Sequence, residues 1–152
     1  MPEDIGKLMF KIILATILCS LIGVEREIRH KGAGLRTHIL VGVGSTLIVL
    51  TSLYLFDIYK AITPIDPTRM ISNIVTGIGF LCAGTIIRSG ANVQGLDTAA
   101  TLWIVSGIGT AVGAGHYSAA ILVSVSVFLI LIGLRPLEYK LGEKFKNFSQ
   151  GG

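Results

Sequence analysis

The chain has 152 residues, of which 51% are apolar and only 14% are charged, and its mean hydropathy is +0.73. A soluble domain carries roughly a quarter charged residues, so the composition excludes an ordinary soluble protein and indicates an integral membrane protein. The net charge of +4 and the pI near 9.3 are not accompanied by a basic stripe on a soluble module. Nucleic acid is therefore not expected as a partner.

Five apolar stretches follow one another along the chain and predict an all-α bundle with about five transmembrane helices. They cover residues 5–24, 37–56, 70–87, 98–112 and 117–134. A helix needs roughly 20 residues to cross a bilayer, and fewer suffice when flanking residues snorkel. The first, second, third and fifth stretches meet this requirement, and the fourth is marginal. Residues 1–152 then form a single domain with a short basic tail at 135–152.

Basic residues are distributed unevenly between the two sides of the predicted bundle. Nine of the 13 follow the first, third or fifth stretch, and four lie on the other side. Because basic residues favour the cytoplasmic side, we expect the N-terminus outside and the C-terminus in the cytoplasm. The nine are Arg26, Arg29, Lys31, Arg36, Arg88, Arg135, Lys140, Lys144 and Lys146, and the four are Lys7, Lys11, Lys60 and Arg69.

Glycine is frequent, with 19 residues, and several glycines recur as Gly-x-Gly inside the apolar stretches. Lipid removes the hydrophobic attraction between helices, so small residues that let backbones approach become the packing device. We expect the small residues of the third and fourth stretches to make helix contacts, and they also favour a homodimer. These residues are Gly77, Gly79, Ala83, Gly107, Gly109 and Gly113.

Charged and polar residues gather at the predicted cytoplasmic end, where a charge beside a span often marks a site or an ion-paired helix contact. Glu25 and Arg29 stand one helical turn apart and can pair. One interpretation is a solvated interfacial ring, with Asp97 as a helix N-cap and Arg36 snorkelling. In the other interpretation, Arg36 and Asp97 meet Glu25 and Arg26 in one polar cluster. The full candidate set on this side is Glu25, Arg26, Arg36, Thr37, Arg88, Asn92, Asp97 and Thr98.

Asp66, Arg69 and Asn73 form a second candidate cluster, on the outer side. Asp66 followed by Pro67 has the form of an N-cap with proline at the first helical position. Arg69 and Asn73 share a helix face. They serve either as interfacial anchors or as a buried group in which Arg69 makes a planar, bidentate contact with a carboxylate such as Asp66. We expect the bidentate contact.

Cysteine and histidine give no sign of a metal site, a disulfide or a cofactor. Cys19 and Cys82 both fall inside apolar stretches, and the three histidines stand far apart along the chain. His38, at the start of the second stretch, is expected to be an interfacial histidine. The sequence also pairs no nucleophile with a base, so we do not expect an enzyme.

Five motifs occur in order along the chain: GVERE at 23–27, GAGLRTH at 32–38, DPTR at 66–69, GIGFLCAG at 77–84 and NVQGLDTAATLW at 92–103. Together they resemble the MgtC/SapB family of bacterial membrane proteins. The resemblance implies a multi-pass inner-membrane protein linked to growth at low magnesium, acid tolerance, survival inside macrophages and modulation of the F-type ATP synthase. Several members were first described as magnesium transporters. Better-known members carry a further cytoplasmic ACT-like domain, and we expect this chain to be the short form, with the membrane domain alone.

Three functions are weighed against these observations. The first is a non-enzymatic regulator that binds another membrane protein through its small-residue faces and its cytoplasmic charges. The second is a transporter or channel for Mg²⁺ or another small ion, which needs a path of oxygen ligands; the middles of the stretches offer mostly Ser, Thr, Asn73 and glycine backbone. Asp97, Glu25 and Asp66 could still attract Mg²⁺ at the surface. The third is an enzyme. Of the three, we expect the first function, that of a regulator.

Overall fold

A computed structural model describes residues 4–134 and Pro136. Its five helices are α1 (Ile5–Ile28), α2 (Leu35–Tyr59), α3 (Thr68–Thr85), α4 (Leu96–Ala114) and α5 (Tyr117–Gly133). Two short antiparallel strands, β1 (Ile87–Ser89) and β2 (Asn92–Gln94), join α3 to α4. The prediction of an all-α membrane bundle is confirmed. Apart from Pro136, the predicted basic tail at 135–152 lies outside the described residues.

Three helices, α1, α2 and α4, are long and apolar enough to cross a membrane, and α5 is an apolar helix of 17 residues. This corrects the ranking made from the sequence. The fourth stretch, expected to be marginal, becomes a helix of 19 residues. The third, expected to qualify, is not among the three, because α3 begins two residues early with Thr68 and Arg69 and gives up Ile86 and Ile87 to the hairpin connection.

Helix α4 lies at the centre of the bundle and contacts each of the other four helices. Its buried residues cover about half of the helix circumference, from Ala99 through Leu102 and Val105 to Ile108. A helix that is apolar all round is typical of a buried element. The central position of α4 therefore accounts for its even distribution of apolar residues.

Glycine brings α4 into direct backbone contact with α2. A Cβ atom on Gly109 would lie 2.1 Å from the carbonyl oxygen of Gly42, and one on Gly113 would lie 2.7 Å from the Cβ atom of Val49. Between these two points the Thr46 hydroxyl donates to the carbonyl oxygens of Gly42, at 3.0 Å, and of Gly109, at 2.8 Å. Gly109 and Gly113 thus form the tight helix contact expected of them, with Gly42 of α2 as the partner of Gly109.

The other predicted packing residues form no such contact within the bundle. A Cβ atom added to Gly77, Gly79 or Gly107 would meet nothing within 4 Å among the described residues, and Ala83 is exposed. The small-residue pattern predicted contacts for both α3 and α4, but α3 buries only Ile74 and Cys82 of its residues. Its glycines lie on the surface, where lipid or another protein can approach.

The hairpin between α3 and α4 was not predicted. Its strands pair Ile87 with Gln94 and Ser89 with Asn92, and Gly90 begins the two-residue turn at a φ of 61°. After the hairpin, Gly95 has a φ of 87°, and a Cβ atom there would lie 1.9 Å from the carbonyl oxygen of Thr85. Only glycine fits where α4 begins this close to the end of α3.

One end of the bundle collects the C-terminal ends of α1, α3 and α5 and the N-terminal ends of α2 and α4. We call it the charged end. At the opposite end the Lys11 ammonium donates to the Gly113 carbonyl oxygen at 2.8 Å, and the Ser52 hydroxyl donates to the Pro67 carbonyl oxygen at 2.7 Å. Ser52 lies seven residues before the end of α2, so α3 begins about 10 Å short of that end. Which end faces the cytoplasm stays a prediction.

Candidate functional site

The charged end brings together Glu25 and Arg26 from α1 and Asp97 from α4. The Arg26 guanidinium donates from Nε to Glu25 Oε2 at 2.6 Å and from Nη1 to Asp97 Oδ2 at 2.5 Å. It therefore bridges two carboxylates that are 72 positions apart in sequence. These three residues, together with Arg29 and Lys31, are called the charged cluster below.

Burial differs across the charged cluster. The side chains of Arg26 and Glu25 are 2% and 5% exposed, whereas that of Asp97 is 56% exposed. A buried charge is tolerated when it is paired and hydrogen-bonded, and each of the two buried charges has the other as a partner. The cluster thus runs from a closed interior at Glu25 to an accessible edge at Asp97.

Arg29 and Lys31 complete the charged cluster. Arg29 forms the predicted ion pair with Glu25 one helical turn away, and it also donates from Nη2 to the carbonyl oxygen of Leu131 at 3.1 Å. Glu25 Oε1 faces Arg29 without a well-aligned hydrogen-bond donor among the described residues. The Lys31 ammonium lies 3.7 Å from Asp97 Oδ2. Sequence reasoning had used Arg29 and Lys31 for orientation but did not place them in the site.

Helix ends explain why opposite charges meet here. Arg26 lies in the last turn of α1, where the helix dipole favours a cation, and Asp97 lies in the first turn of α4, where it favours an anion. Gly95, not Asp97, is the N-cap of α4, which rules out the interpretation of Asp97 as a helix cap and leaves the polar cluster. The carboxylate is instead free of the helix backbone and points to Arg26.

Glu27 of α1 fixes the start of α2. Its Oε2 atom accepts a hydrogen bond from the backbone N–H of Leu35 at 2.9 Å, which satisfies a donor at the first turn of that helix. A Cβ atom on Gly34 would collide with this carboxylate. The loop between α1 and α2 is thereby held tightly beside the charged cluster.

The remaining predicted residues of this side lie outside the charged cluster. Arg36 is exposed and forms no ion pair with any residue in the described part of the chain. Arg88 donates from Nε to the Gly90 carbonyl oxygen at 3.2 Å, and Asn92 is exposed in the hairpin. Thr37 is half-buried and Thr98 is buried. The predicted meeting of four residues is thus correct for Glu25, Arg26 and Asp97 and wrong for Arg36.

His38 is a buried polar residue that sequence reasoning assigned to the interface. Its ring is 0% exposed, with Nδ1 at 2.8 Å from the Gly34 carbonyl oxygen and Nε2 at 3.2 Å from the Thr101 hydroxyl. It therefore links α2 to α4 just inside the charged end. The sequence did contain a signal for this burial. His38, Gly42 and Ser45 follow one another at intervals of one helical turn, so they lie on the same face of α2.

The outer-side candidates do not form a buried cluster. The Asp66 carboxylate accepts from the backbone N–H of Thr68 at 2.8 Å and from its hydroxyl at 2.6 Å, and these bonds lower the pKa of Asp66. Pro67, not Asp66, is the N-cap of α3 and Thr68 is its first residue, so the predicted cap is shifted by one position, although the Asp66 carboxylate still satisfies the Thr68 N–H. Arg69 is exposed and has no ion pair with a described residue, so the expected bidentate contact is not formed.

Asn73 faces a different environment from the one expected. It is exposed on α3 and lines a groove of about 490 Å³ between α2 and α3, whose floor includes Ser45 and Ser106. The hydroxyls of these two serines lie 3.0 Å apart. The groove is otherwise apolar. Asn73 is therefore a polar group on a lipid-accessible face, separate from Asp66 and Arg69.

Comparison with known proteins adds to this geometry. The profile of the MgtC family matches residues 12–140 of the chain. The chain belongs to the MgtC family. That match includes the charged cluster, the hairpin and every described helix except the first turns of α1, so the predicted resemblance is confirmed.

Several relatives in the MgtC family share about two fifths of their residues with this chain. "Putative magnesium transporter YhiD" of Escherichia coli is 41% identical over 141 residues, which are 91% of this chain and 66% of that protein. Protein MgtC of Salmonella typhimurium is 41% identical over 140 residues, covering 90% of this chain and 58% of that protein. An uncharacterized protein of Synechocystis is 43% identical over 131 residues, covering 85% and 53%.

The chain spans between 53% and 66% of the length of these MgtC family relatives. No solved structure matches it. Within the described residues, no group of three or more His, Cys, Asp or Glu side chains is placed to hold a metal ion. Family membership and three membrane-length helices identify a membrane protein whose relatives carry magnesium-related names.

Proposed function

We propose that this chain is a non-enzymatic regulator in the bacterial inner membrane, linked to magnesium limitation or acid stress. It would act on another membrane protein, such as the F-type ATP synthase that the family resemblance implies. The observation that supports a regulator over a carrier is the packing at the centre of the bundle.

Helices α2 and α4 are in close contact at the centre of the bundle, which supports a regulator. Backbone atoms of α2 and α4 meet at Gly42 and Gly109, and the Thr46 hydroxyl is engaged by the carbonyl oxygens of both. Mg²⁺ keeps several waters and needs successive oxygen ligands along its route. Oxygens that are already paired, in a contact too close for a methyl group, favour a rigid bundle that works through its surfaces.

Those surfaces suit contact with another membrane protein. On α3, Phe80 is 87% exposed beside the open positions Gly77 and Gly79, and Trp103 of α4 is half exposed. Small residues let a second helix approach closely, and aromatic side chains contribute large contact areas. A partner helix or a second copy of the chain could pack against α3, which supports a regulator that is dimeric or bound to its target.

Transport of Mg²⁺ or another small ion is the second candidate. It is favoured by the groove between α2 and α3, where Asn73, Ser45 and Ser106 place polar groups beside an open space. The printed name of the Escherichia coli relative points the same way.

Magnesium flux into liposomes separates the two candidates. The purified chain is reconstituted with a Mg²⁺-sensitive dye inside the vesicles, and an ionophore shows that the dye responds. We expect influx equal to that of protein-free vesicles. Saturable influx that Asn73→Leu abolishes, and that Val75→Leu on the exposed part of the same helix leaves intact, would establish transport instead.

A second experiment tests the regulatory half of the proposal. F-type ATP synthase is co-reconstituted with the chain, and ATP-driven acidification of the vesicles is followed. We expect the chain to change the rate of acidification, whereas an unrelated membrane protein at the same lipid ratio does not. Equal rates with both proteins would remove the ATP synthase as the target.

A further inference from the structure

The charged end contains a pocket of about 190 Å³ between the end of α1, the loop that follows it and the end of α5. Its polar wall is formed by Arg26, Arg29, Lys31 and Asp97. We propose that this pocket binds the phosphate of an anionic phospholipid.

The two arginines are held in place before any ligand arrives. Arg26 is fixed by Glu25 and Asp97, and Arg29 is fixed by Glu25 and by its 3.1 Å hydrogen bond to the Leu131 carbonyl oxygen. Each guanidinium carries five N–H donors, so Arg29, which is 21% exposed, keeps donors for a ligand, while Arg26, which is 2% exposed, lies at the base of the pocket. Because the side chains are already ordered, little conformational entropy is lost when they bind a phosphate oxygen.

Lys31 is the most exposed of the three cations in the pocket. Its side chain is 43% exposed, and its ammonium is 3.7 Å from Asp97 Oδ2, which is long for a hydrogen bond. An ion pair of this length and exposure is weak, so the ammonium can turn towards a phosphate at little cost.

The balance of charge on the wall selects an anion. Among the described residues, three cations and one carboxylate line the pocket, and Glu25, which pairs with both arginines, leaves the cluster with a net charge of +1. A divalent cation would be repelled by this wall. A phosphate group accepts several charge-assisted hydrogen bonds from arginine and lysine.

The apolar wall favours a lipid over a free phosphate. It consists of Ile130, Leu131 and Leu134 at the end of α5, of which Ile130 is 53% exposed and Leu134 is 46% exposed. Basic pockets at the ends of transmembrane helices lie at the level of lipid headgroups, and the neighbouring apolar side chains can contact the acyl chains. A phospholipid can contact the polar wall with its phosphate and the apolar wall with its acyl chains.

Native mass spectrometry of the purified full chain tests the proposal by measuring bound phosphatidylglycerol and phosphatidylcholine with identical acyl chains. We expect phosphatidylglycerol to be preferred, and Lys31→Gln to weaken its binding about five-fold, from roughly 1 kcal/mol per basic residue. Lys31→Arg should restore it. Lys7→Gln is the matched control, because the Lys7 ammonium lies 3.6 Å from the Asp4 carboxylate at the opposite end. Equal binding of the two lipids, or an equal effect of Lys31→Gln and Lys7→Gln, would overturn the proposal.

Asp97→Asn provides a test of opposite sign. It removes the one carboxylate that the described residues contribute to the wall, so phosphatidylglycerol should bind more tightly, an outcome that general loss of structure cannot produce. Weaker binding by a variant with the parent's melting temperature would count against the site. Inorganic phosphate is then added as a competitor, and its displacing the lipid would reassign the pocket to soluble phosphate. These measurements read lipid binding alone and hold whether or not the chain regulates another protein.

Discussion

Arg26 links the two halves of the charged cluster, because it is the one residue in the described part of the chain that contacts both Glu25 and Asp97. Replacing it with alanine would leave the Glu25 carboxylate buried with only Arg29 as a partner. We expect Arg26→Ala to lower the free energy of unfolding by about 1–3 kcal/mol, because a buried carboxylate loses one of its two cationic partners. Arg36→Ala, at an exposed arginine, should change it by less than about 0.5 kcal/mol. Unfolding of both variants in mixed micelles measures the difference, and equal losses would show that Arg26 is not the bridging residue.

Arg69 is expected to behave as an interfacial anchor. Its side chain is exposed and Asp66 is engaged by Thr68, so nothing in the described structure requires a planar guanidinium there. Arg69→Lys should therefore be nearly silent in unfolding and in growth at low magnesium, since lysine snorkels equally well. A clear loss at equal expression would mean that Arg69 pairs with a carboxylate of another molecule.

The contacts of the charged cluster differ in how readily they could be predicted from the sequence. The Glu25–Arg29 pair followed from helical spacing, whereas the Arg26–Asp97 contact required the order of the spans and their common end. Arg36 was misplaced because its neighbour His38 faces α4. Two helical positions differ by roughly 200°, so Arg36 points away from the interior. Polarity gave the right end of the bundle, but the side of the helix was set by packing.

At the scale of the helices, Gly109 and Gly79 give a matched pair for testing the packing. A Cβ atom at Gly109 would meet the backbone of α2, whereas one at Gly79 would meet nothing within 4 Å among the described residues. Gly109→Leu should lower stability by about 1–3 kcal/mol or more and reduce the folded yield, because α2 and α4 must separate. Gly79→Leu should fold normally. Size-exclusion profiles and melting curves compare them, and similar damage from both would argue that α3 packs elsewhere.

The sequence could not separate these two glycines. Gly77-Ile78-Gly79 and Gly107-Ile108-Gly109 are identical triplets in apolar surroundings, yet three of their four glycines are open and only Gly109 is closed. A glycine permits close approach without supplying the partner. Which helix lies opposite is decided by the arrangement of the whole bundle, so the position of α4 at its centre was equally hidden. The hairpin was missed for a related reason, since strands of three residues have too little periodicity to read.

At the scale of the whole molecule, the helices differ in length. Helix α2 has 25 residues and α3 has 18, which correspond to about 38 Å and about 27 Å. The hydrogen bond from Ser52 to Pro67 holds the start of α3 beside the interior of α2. We expect the chain to melt at a higher temperature in bilayers with acyl chains of about 14 carbons than of about 22 carbons, because a thin bilayer matches the shorter side.

Ser52→Ala should reduce this dependence on thickness, since it releases α3 from its fixed depth at a cost of about 0.6 kcal/mol. Ser20→Ala is the control, because the Ser20 hydroxyl bonds only to the Ile17 carbonyl oxygen within its own helix. A melting temperature that is the same in both lipids for the parent chain would show that the bilayer does not respond to the shorter helix.

Because α3 begins below the end of α2, the lipid beside it is deformed. The leaflet must dip beside the 60–67 connection and recover its normal height beside α1, so the membrane stores elastic energy along one flank of the molecule. That energy falls when two such flanks share the same dip. Copies of the chain, or other proteins with an equally low side, would then be drawn together across lipid before any side chains touch, and the flank that attracts them is the one where Phe80 and the open glycines of α3 lie.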